Sequence, residues 1–191
     1  MTENELLSCL SGGLFLTEHE IAQTLARPLS LKEQTALQTS PQILAFKFAG
    51  RYYYKTRSPR PLTPLGQNVL TRLAQRPKAR KLALARSCLD HLAGQAGVFV
   101  FSYLVKRKMI KEKKPFSYQL TPNGQQYFEN WLGYRPASDL KVCLDFSERN
   151  FHLAGKLGQA LLAQLLLEGK CRPTSTKRLL TLTVPFASLL P

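Results

Sequence analysis

The chain has 191 residues and a formal net charge of +15, from 27 basic and 12 acidic side chains. This length suffices for one hydrophobic core or two small ones. The acidic start "MTENELLSCLSGG" argues against a secretory signal, and no apolar run approaches the roughly 18 residues of a membrane span. Four scattered cysteines exclude a disulfide scaffold, so we expect reduced thiols and a cytoplasmic protein.

The positive charge is concentrated in the middle of the chain. Residues 46–120 contain 17 basic and 2 acidic side chains, whereas residues 1–45 contain 2 basic and 5 acidic ones. Such a field attracts polyanions, and neutralised phosphates release counterions, so double-stranded DNA is the first candidate partner. An anionic membrane surface is the weaker alternative, and no membrane partner is expected.

The N-terminal segments have the element order of a winged helix-turn-helix. Apolar spacing predicts a helix in "TENELLSCL", and capping boxes that start at Thr17 and Ser30 predict two more, the last over residues 30–39. Strand formers in "QILAFKFAG" and "RYYYKTR" predict a hairpin. In this arrangement the helix over residues 30–39 enters the major groove, and the basic hairpin lies along the DNA backbone.

The predicted DNA-contacting side chains lie on this third helix and on the hairpin. The helix offers polar groups to base edges, whereas the hairpin combines cations and tyrosines that suit phosphates. Alternation along the second strand predicts that Tyr53 packs inward while Tyr52 or Tyr54 faces outward. The candidates are Ser30, Lys32, Gln34, Thr35 and Gln38 on the helix, and Lys47, Arg51, Tyr52, Tyr54, Lys55 and Arg57 on the hairpin.

An internal repeat is predicted beyond the proline-rich linker "SPRPLTP". The segment His-Leu-Ala-Gly occurs at His91 and again at His152, and each copy follows a Cys-Leu-Asp. We place both copies inside helices, one beginning at Pro77 and one running through "HLAGKLGQALLAQLLLEG". Comparison of the copies also predicts a helix over residues 98–108, although "VFVFSYLV" favours a strand by propensity.

These elements predict an α+β, mainly helical fold of tandem winged-helix-like units. The expected division is an N-terminal winged helix-turn-helix over residues 1–62, connecting helices over 63–84, and a C-terminal winged-helix-like half over 85–191. The last helix is apolar nearly all round, which predicts burial on more than one side and favours a homodimer. The C-terminal half is therefore expected to serve dimerisation and sensing.

Three ordered motifs carry a family resemblance. They are "CLDHLAG" at Cys88–Gly94, "LTPNG" at Leu120–Gly124 and "CLDFSERNFHLAG" at Cys143–Gly155. Together they resemble a branch of the ArsR family of winged-helix transcriptional regulators, closely over residues 84–170. The resemblance implies an N-terminal DNA-binding winged helix, repression by occupying a promoter, and a small-molecule or metal effector.

The repeated segment has two interpretations. Cys88 with His91, and Cys143 with His152, offer metal ligands if both copies converge. In the favoured interpretation the small residues allow close helix crossings at which the histidines hydrogen-bond. No metal and no cofactor are therefore predicted, since the helix over residues 30–39 lacks the Cys-x-Cys motif of the family's metal sensors. The expected packing and dimer positions are His91, Gly94, His152, Gly155, Leu162 and Leu166.

Two hypotheses for the function stay open. The segment from Ser30 to Ala49 is shorter and poorer in arginine than in a usual ArsR-type protein. This leaves a non-sequence-specific nucleic-acid-binding or scaffolding protein beside the regulator. An enzyme is not expected, because no nucleophile, phosphate loop or metal-water motif accompanies "DFSERNFH", which we place on one side of a helix.

Overall fold

The computed structural model describes residues 3–191, which divide into two units over residues 3–80 and 81–191. The fold is α+β, with helices predominating and small antiparallel sheets, as predicted. The first unit comprises helices α1 (Glu3–Cys9), α2 (Glu18–Leu25), α3 (Leu31–Thr39), α4 (Pro64–Gln75) and α5 (Pro77–Lys81), whose last residue lies past the boundary, and strands β1 (Ile43–Phe48) and β2 (Arg51–Thr56).

Capping boxes fix the start of α2 and α3, which confirms the sequence prediction. The Thr17 hydroxyl accepts from the amide of Glu20, whose carboxylate accepts from the Thr17 amide at 2.9 Å. Ser30 and Glu33 repeat this arrangement at α3, where the Ser30 amide donates to Glu33 Oε2 at 2.8 Å. Local side chains thus satisfy backbone amides that the first helical turns leave open.

Glu33 anchors α3 to the segment that precedes it. Arg27 donates to both carboxylate oxygens of Glu33, from Nη1 at 2.9 Å and from Nη2 at 2.7 Å. Leu37 on the same face of α3 is buried in the core. Because a bidentate pair is geometrically specific, this contact fixes which side of α3 faces solvent.

Helix α4 is part of the N-terminal core. Its Val69 and Leu73 join the hydrophobic cluster to which α1 and α2 contribute. The Thr63 hydroxyl caps the helix by accepting from the Gly66 amide at 3.1 Å. The segment predicted as connecting helices over residues 63–84 thus also contributes an apolar stripe to the core of the first unit.

Strands β1 and β2 form the predicted antiparallel hairpin. Leu16 bridges the other edge of β2. Its amide donates to the Tyr54 carbonyl at 2.9 Å, and its carbonyl accepts from the Tyr54 amide at 2.7 Å. Helices α1 to α3 followed by a hairpin give this unit the element order of a winged helix.

The second unit repeats a β-hairpin, a helix and a second β-hairpin. This keeps the predicted order of helix then hairpin, with a β-hairpin in front of each helix. The elements are β3 (Arg86–Cys88), β4 (His91–Ala93), α6 (Gly94–Lys106), β5 (Ile110–Lys114), β6 (Ser117–Leu120), α7 (Pro122–Leu132), β7 (Asp139–Leu144), β8 (Phe151–Ala154), α8 (Gly155–Leu167), β9 (Cys171–Pro173) and β10 (Leu180–Leu182). The helix predicted over residues 98–108 is confirmed by α6.

The helix predicted from Pro77 through the first His-Leu-Ala-Gly is wrong beyond Lys81. Leu89 adopts a left-handed conformation (φ 60°) that turns β3 back into β4. Gly94 (φ 77°) then allows the strand to pass directly into α6, a conformation that costs glycine little. Gly155 (φ 62°) does the same between β8 and α8.

The segment "DFSERNFH" turns the chain from β7 into β8, so its predicted helical side is also wrong. The Asp145 carboxylate accepts from the amides of Ser147 and Glu148 at 2.9 and 3.0 Å. Arg149 has a left-handed φ of 52°. These local hydrogen bonds offer the backbone an alternative to a helix.

The two copies cross, so that α6 packs on β8 and α8 packs on β4. A Cβ atom added to Gly97 would lie 3.3 Å from Cβ of His152. One added to Gly158 would lie 3.0 Å from Cβ of His91. The small residues therefore permit helix-to-strand contacts, in place of the predicted helix crossings. Pairing of β6 with β7 completes the four-stranded sheet β5-β6-β7-β8.

A buried ion pair joins the two copies. Arg86 Nη2 lies 2.6 Å from Asp145 Oδ1, and neither side chain exceeds 1% exposure. Arg86 Nη1 also donates to the carbonyl of Leu82 and to the hydroxyl of Ser147, both at 2.8 Å. The second Asp145 oxygen accepts from the Gly94 amide at 2.8 Å, so this carboxylate holds the start of α6.

Stability in acid tests the anchor of α3. Hydrogen bonds from Arg27 and then from Ser30 lower the pKa of Glu33 from 4.5 to about 2. The pair therefore stabilises the fold at and above pH 4.5, and this contribution is lost as pH falls towards 2. We expect Glu33→Gln to lower the melting temperature at pH 7. Between pH 5 and 2 the melting temperature of this variant should fall by less than that of the parent chain.

Glu5→Gln is the matched control for this melting experiment, because Glu5 binds the same Arg27 at 3.0 Å from a more exposed position. Its melting profile against pH is expected to follow that of the parent chain. Identical profiles for Glu33→Gln and the parent chain would contradict the assignment.

A second prediction concerns the buried ion pair. Asp145→Asn leaves the Arg86 guanidinium buried without a charged partner, so the free energy of unfolding should fall by about 3 to 5 kcal/mol in urea titrations. Asp139→Asn, which removes an exposed carboxylate 3.3 Å from Lys113, should cost less than about 1 kcal/mol. Equal losses in the two variants would show that the buried pair does not stabilise the unit.

Candidate functional site

The solvent side of α3 carries only part of the predicted set of DNA-contacting residues. Lys32, Thr35 and Gln38 are exposed. The Ser30 hydroxyl is committed to the helix cap, and the Gln34 amide donates to the Leu29 carbonyl at 3.1 Å. Lys32, Thr35 and Gln38 therefore carry most of the base-reading capacity of this helix, although the Thr35 hydroxyl donates to the Leu31 carbonyl at 2.9 Å and so is left to accept from a base.

The hairpin presents cations at its tip and along one edge. Lys47, Arg51 and Tyr52 are exposed, and Lys47 Nζ lies 5.5 Å from the centre of the Tyr52 ring. Lys55 is half-buried against Phe15, with 5.2 Å between its Nζ and the ring centre.

Arg57, the last predicted contact on the hairpin side, lies just beyond β2. It is exposed, and its Nε donates to the Pro41 carbonyl at 2.9 Å. Arg60 likewise donates to the side chain of Gln42 at 2.9 Å. Both guanidinium groups are therefore held at the foot of the hairpin with the rest of their donors available.

Tyr54 is a correction to the predicted contacts. It is fully buried, and its hydroxyl donates to Glu18 Oε1 at 2.8 Å. Burial, followed by the neighbouring Glu18 carboxylate, raises its pKa above the usual tyrosine value. Tyr52 and Tyr54 lie on the same face of β2, with 6.4 Å between their ring centroids, but Tyr54 joins the core of the first unit whereas Tyr52 is exposed.

The predicted packing residues of the C-terminal unit have different roles. Gly94 and Gly155 serve the strand-to-helix junctions described above, and Leu162 is buried. Leu166 and Leu167 are exposed by 36% and 81%, so the chain itself covers only one side of α8. Burial on more than one side of α8 therefore stays a prediction that depends on a second subunit.

A second candidate site is formed by two cysteines and two histidines. Cys88 lies directly opposite His91 across the β3-β4 hairpin, and Cys143 lies directly opposite His152 across β7-β8. The crossing of the copies brings these pairs together. One ligand atom from each of the four residues lies within 4.8 Å of the other three. The Sγ atoms are 3.9 Å apart, and the imidazole centroids are 5.0 Å apart.

A carboxylate lies behind each histidine. Nδ1 of His91 is 3.0 Å from Asp90 Oδ1, and Nδ1 of His152 is 3.4 Å from Asp145 Oδ2. Gln159 in α8 holds Asp90 through a side-chain hydrogen bond. Nε2 of both histidines, and Nδ1 of His152 as well, is buried and lacks a hydrogen-bond partner among the described residues.

The cluster has an unusual charge balance. Contact with the Cys143 thiol, and then with the two imidazoles, lowers the pKa of Cys88 well below that of an ordinary thiol. The Cys88 thiolate in turn raises the pKa of Cys143. Burial opposes protonation of His91, but its contacts with Cys88 and Asp90 raise its pKa overall. The site therefore favours one thiolate and attracts positive charge.

Sequence reasoning named these four residues but ranked the metal interpretation second. The repeated order of Cys, Asp and His favours the metal interpretation, because it predicts that the cysteine and the histidine occupy equivalent positions in the two copies. Arg86 was missed, because it looks like one more surface cation in a basic segment although it is buried.

Comparison with known proteins finds a partial similarity to one curated protein. The chain is 37% identical over 103 residues to a Bacillus subtilis (strain 168) protein described as an uncharacterized HTH-type transcriptional regulator, YdfF. The similarity covers 50% of this chain and 45% of that relative, so the chain spans about half the length of the curated relative it matches. No family model and no solved structure match. Among the described residues, no helix has both the length and the apolar character needed to cross a bilayer.

Proposed function

We propose that the protein is a DNA-binding transcriptional regulator that places α3 in the major groove and the β1-β2 hairpin on the DNA backbone. The observation that carries the proposal is the solvent side of α3, fixed by the Arg27 and Glu33 pair and followed directly by a basic hairpin. The similarity to an HTH-type regulator supports the same function.

Electrostatics favour this surface as the one that meets DNA. Residues 46–80, which lie in the same unit as α3, contain nine basic and no acidic side chains. Lys47, Arg51 and Arg57 are exposed on or beside the hairpin. Each phosphate that such a cation neutralises releases counterions, so binding should weaken steeply with salt.

The two elements are expected to contribute differently. Lys32, Thr35 and Gln38 can donate or accept hydrogen bonds at base edges and so provide sequence preference. The hairpin cations hold the protein in register on the backbone, which adds affinity for any duplex.

We further propose that the regulator is a homodimeric, cytoplasmic repressor. In this proposal residues 1–62 bind DNA, residues 63–84 connect the two parts, and residues 85–191 serve dimerisation and sensing. A dimer with two-fold symmetry suits a palindromic operator. The exposed Leu166 and Leu167 on α8 offer an apolar surface that a second subunit would cover. Repression and an effector response follow the resemblance to the ArsR family.

A non-sequence-specific nucleic-acid-binding or scaffolding protein is the second candidate. It is favoured by the small number of uncommitted polar groups on α3, where Ser30 and Gln34 bond to the chain itself. Salt dependence does not separate the two candidates, because phosphate contacts dominate both.

Selection from random duplexes separates these candidates. The purified chain should enrich a palindromic motif whose half-sites are about one helical turn apart. The enriched duplex should also bind more tightly than a scrambled duplex of equal length at the same salt concentration. No enrichment, together with equal affinity for both duplexes, would leave the non-specific candidate.

Single substitutions test the division of labour. Arg51→Ala should weaken binding to selected and scrambled duplexes alike and reduce the salt slope by about 1. Lys32→Ala should weaken binding to the selected duplex more than to the scrambled one, by about 1 to 3 kcal/mol for a base contact. Fluorescence anisotropy titrations measure both effects.

Lys111→Ala is the charge-matched control for these titrations, since Lys111 is exposed on β5 in the other unit. It should leave affinity and salt slope near those of the parent chain. A loss as large as that of Arg51→Ala would instead move the DNA contact to the second unit.

A further inference from the structure

We propose that Cys88, His91, Cys143 and His152 form a binding site for one thiophilic divalent cation such as Zn²⁺. The inference is independent of the proposed function. The site would join the two copies of the C-terminal repeat through a single ion.

The donor set matches a tetrahedral ion in kind and in spacing. Two thiolates and two imidazoles are a common ligand set of structural zinc sites. For Zn–S bonds of about 2.3 Å, a tetrahedral ion holds two sulfurs about 3.8 Å apart. The two Sγ atoms already lie 3.9 Å apart. No donor pair exceeds 4.8 Å, so the most distant pair has to close by about 1.5 Å at most to reach the separation of two nitrogens on a tetrahedral ion.

The backbone delivers the ligands in a symmetric way. Each hairpin places one cysteine directly opposite one histidine, so their side chains project from the same face of the hairpin. Gly97 and Gly158 remove the bulk that would separate each histidine from the helix of the other copy. Four ligands from two rigid hairpins therefore meet without a flexible loop.

The carboxylates behind the imidazoles are the partners that metal-bound histidines usually have. Asp90 hydrogen-bonds Nδ1 of His91 at 3.0 Å and so orients that ring with Nε2 free, whereas Asp145 lies 3.4 Å from Nδ1 of His152 without a hydrogen bond between them. A carboxylate in this position raises the basicity of the ligand and fixes its tautomer. The Asp145 side chain is itself held by Arg86, so the orientation is built into the core.

Burial also favours an ion at this position. His152 is fully buried and His91 is 5% exposed, yet their Nε2 atoms lack hydrogen-bond partners among the described residues. An unsatisfied buried polar atom is destabilising, and a bond to a metal ion removes that cost. Two thiolates neutralise a divalent charge, so the loaded site carries no net charge into the core. Cys88 and Cys143 are half-buried, which leaves the sulfur side accessible to an incoming ion.

Cobalt titration of the reduced, chelator-treated full chain tests the site. Co²⁺ should produce sulfur-to-metal charge-transfer absorption and the strong visible bands of a tetrahedral ion, saturating at one ion per chain. Zn²⁺ should displace it and raise the melting temperature. Absence of charge-transfer absorption in the unmodified chain overturns the proposal, and this result does not depend on whether any substituted chain folds.

Variants assign the ligands. Cys88→Ser and Cys143→Ser should each remove about half of the charge-transfer intensity, while Cys171→Ala and His19→Gln should leave the spectrum unchanged. Cys171 is a buried thiol and His19 an exposed imidazole, both outside the four-residue cluster. Asp90→Asn should weaken Zn²⁺ binding about 10- to 100-fold through the orientation of His91. An unchanged spectrum in both serine variants would overturn the assignment.

Alkylation provides a readout on the parent chain alone. Bound Zn²⁺ should protect Cys88 and Cys143 from iodoacetamide, as read by peptide mass spectrometry of each thiol. Equal modification of Cys88 and Cys143 with and without Zn²⁺ would contradict the proposal.

Discussion

The buried carboxylate of Asp145 is the constraint on which the C-terminal unit depends. It neutralises Arg86, accepts from the amide that starts α6, and lies beside the ring of His152. Arg86 and Gly94 come from the first copy of the repeat, whereas His152 comes from the second. One carboxylate therefore links the two copies where they cross, and the crossing brings the Cys and His side chains together.

The sequence predicted elements best where local chemistry decides them. Thr17 and Ser30 start their helices through contacts three residues away, and both capping boxes are present. The repeat identified α6 against strand propensity, because a comparison of copies includes information about tertiary context. The prediction that the His-Leu-Ala-Gly segments lie inside helices is wrong. In the first copy the turn is made by Leu89 in a left-handed conformation, and no glycine at that position marks the turn in the sequence.

The candidate sites divide along the same line. Exposure of Lys32 and Arg51 agrees with amphipathic spacing, whereas Tyr54 is buried in a core built from the N-terminal helices, with its hydroxyl on Glu18, 36 residues away in sequence. The four cysteine and histidine positions were identifiable, but their convergence depends on the packing of α6 on β8 and of α8 on β4. Non-local packing of this kind leaves no periodic signal in a single sequence.

The convergence of the two copies on one ion is tested most directly by X-ray absorption at the zinc edge of the Zn²⁺-loaded chain. The expected result is two sulfur ligands at about 2.3 Å and two nitrogen ligands at about 2.0 to 2.1 Å. That ligand count requires both copies of the repeat to meet at one ion. A first shell of oxygen and nitrogen alone, or one with a single sulfur, would contradict it.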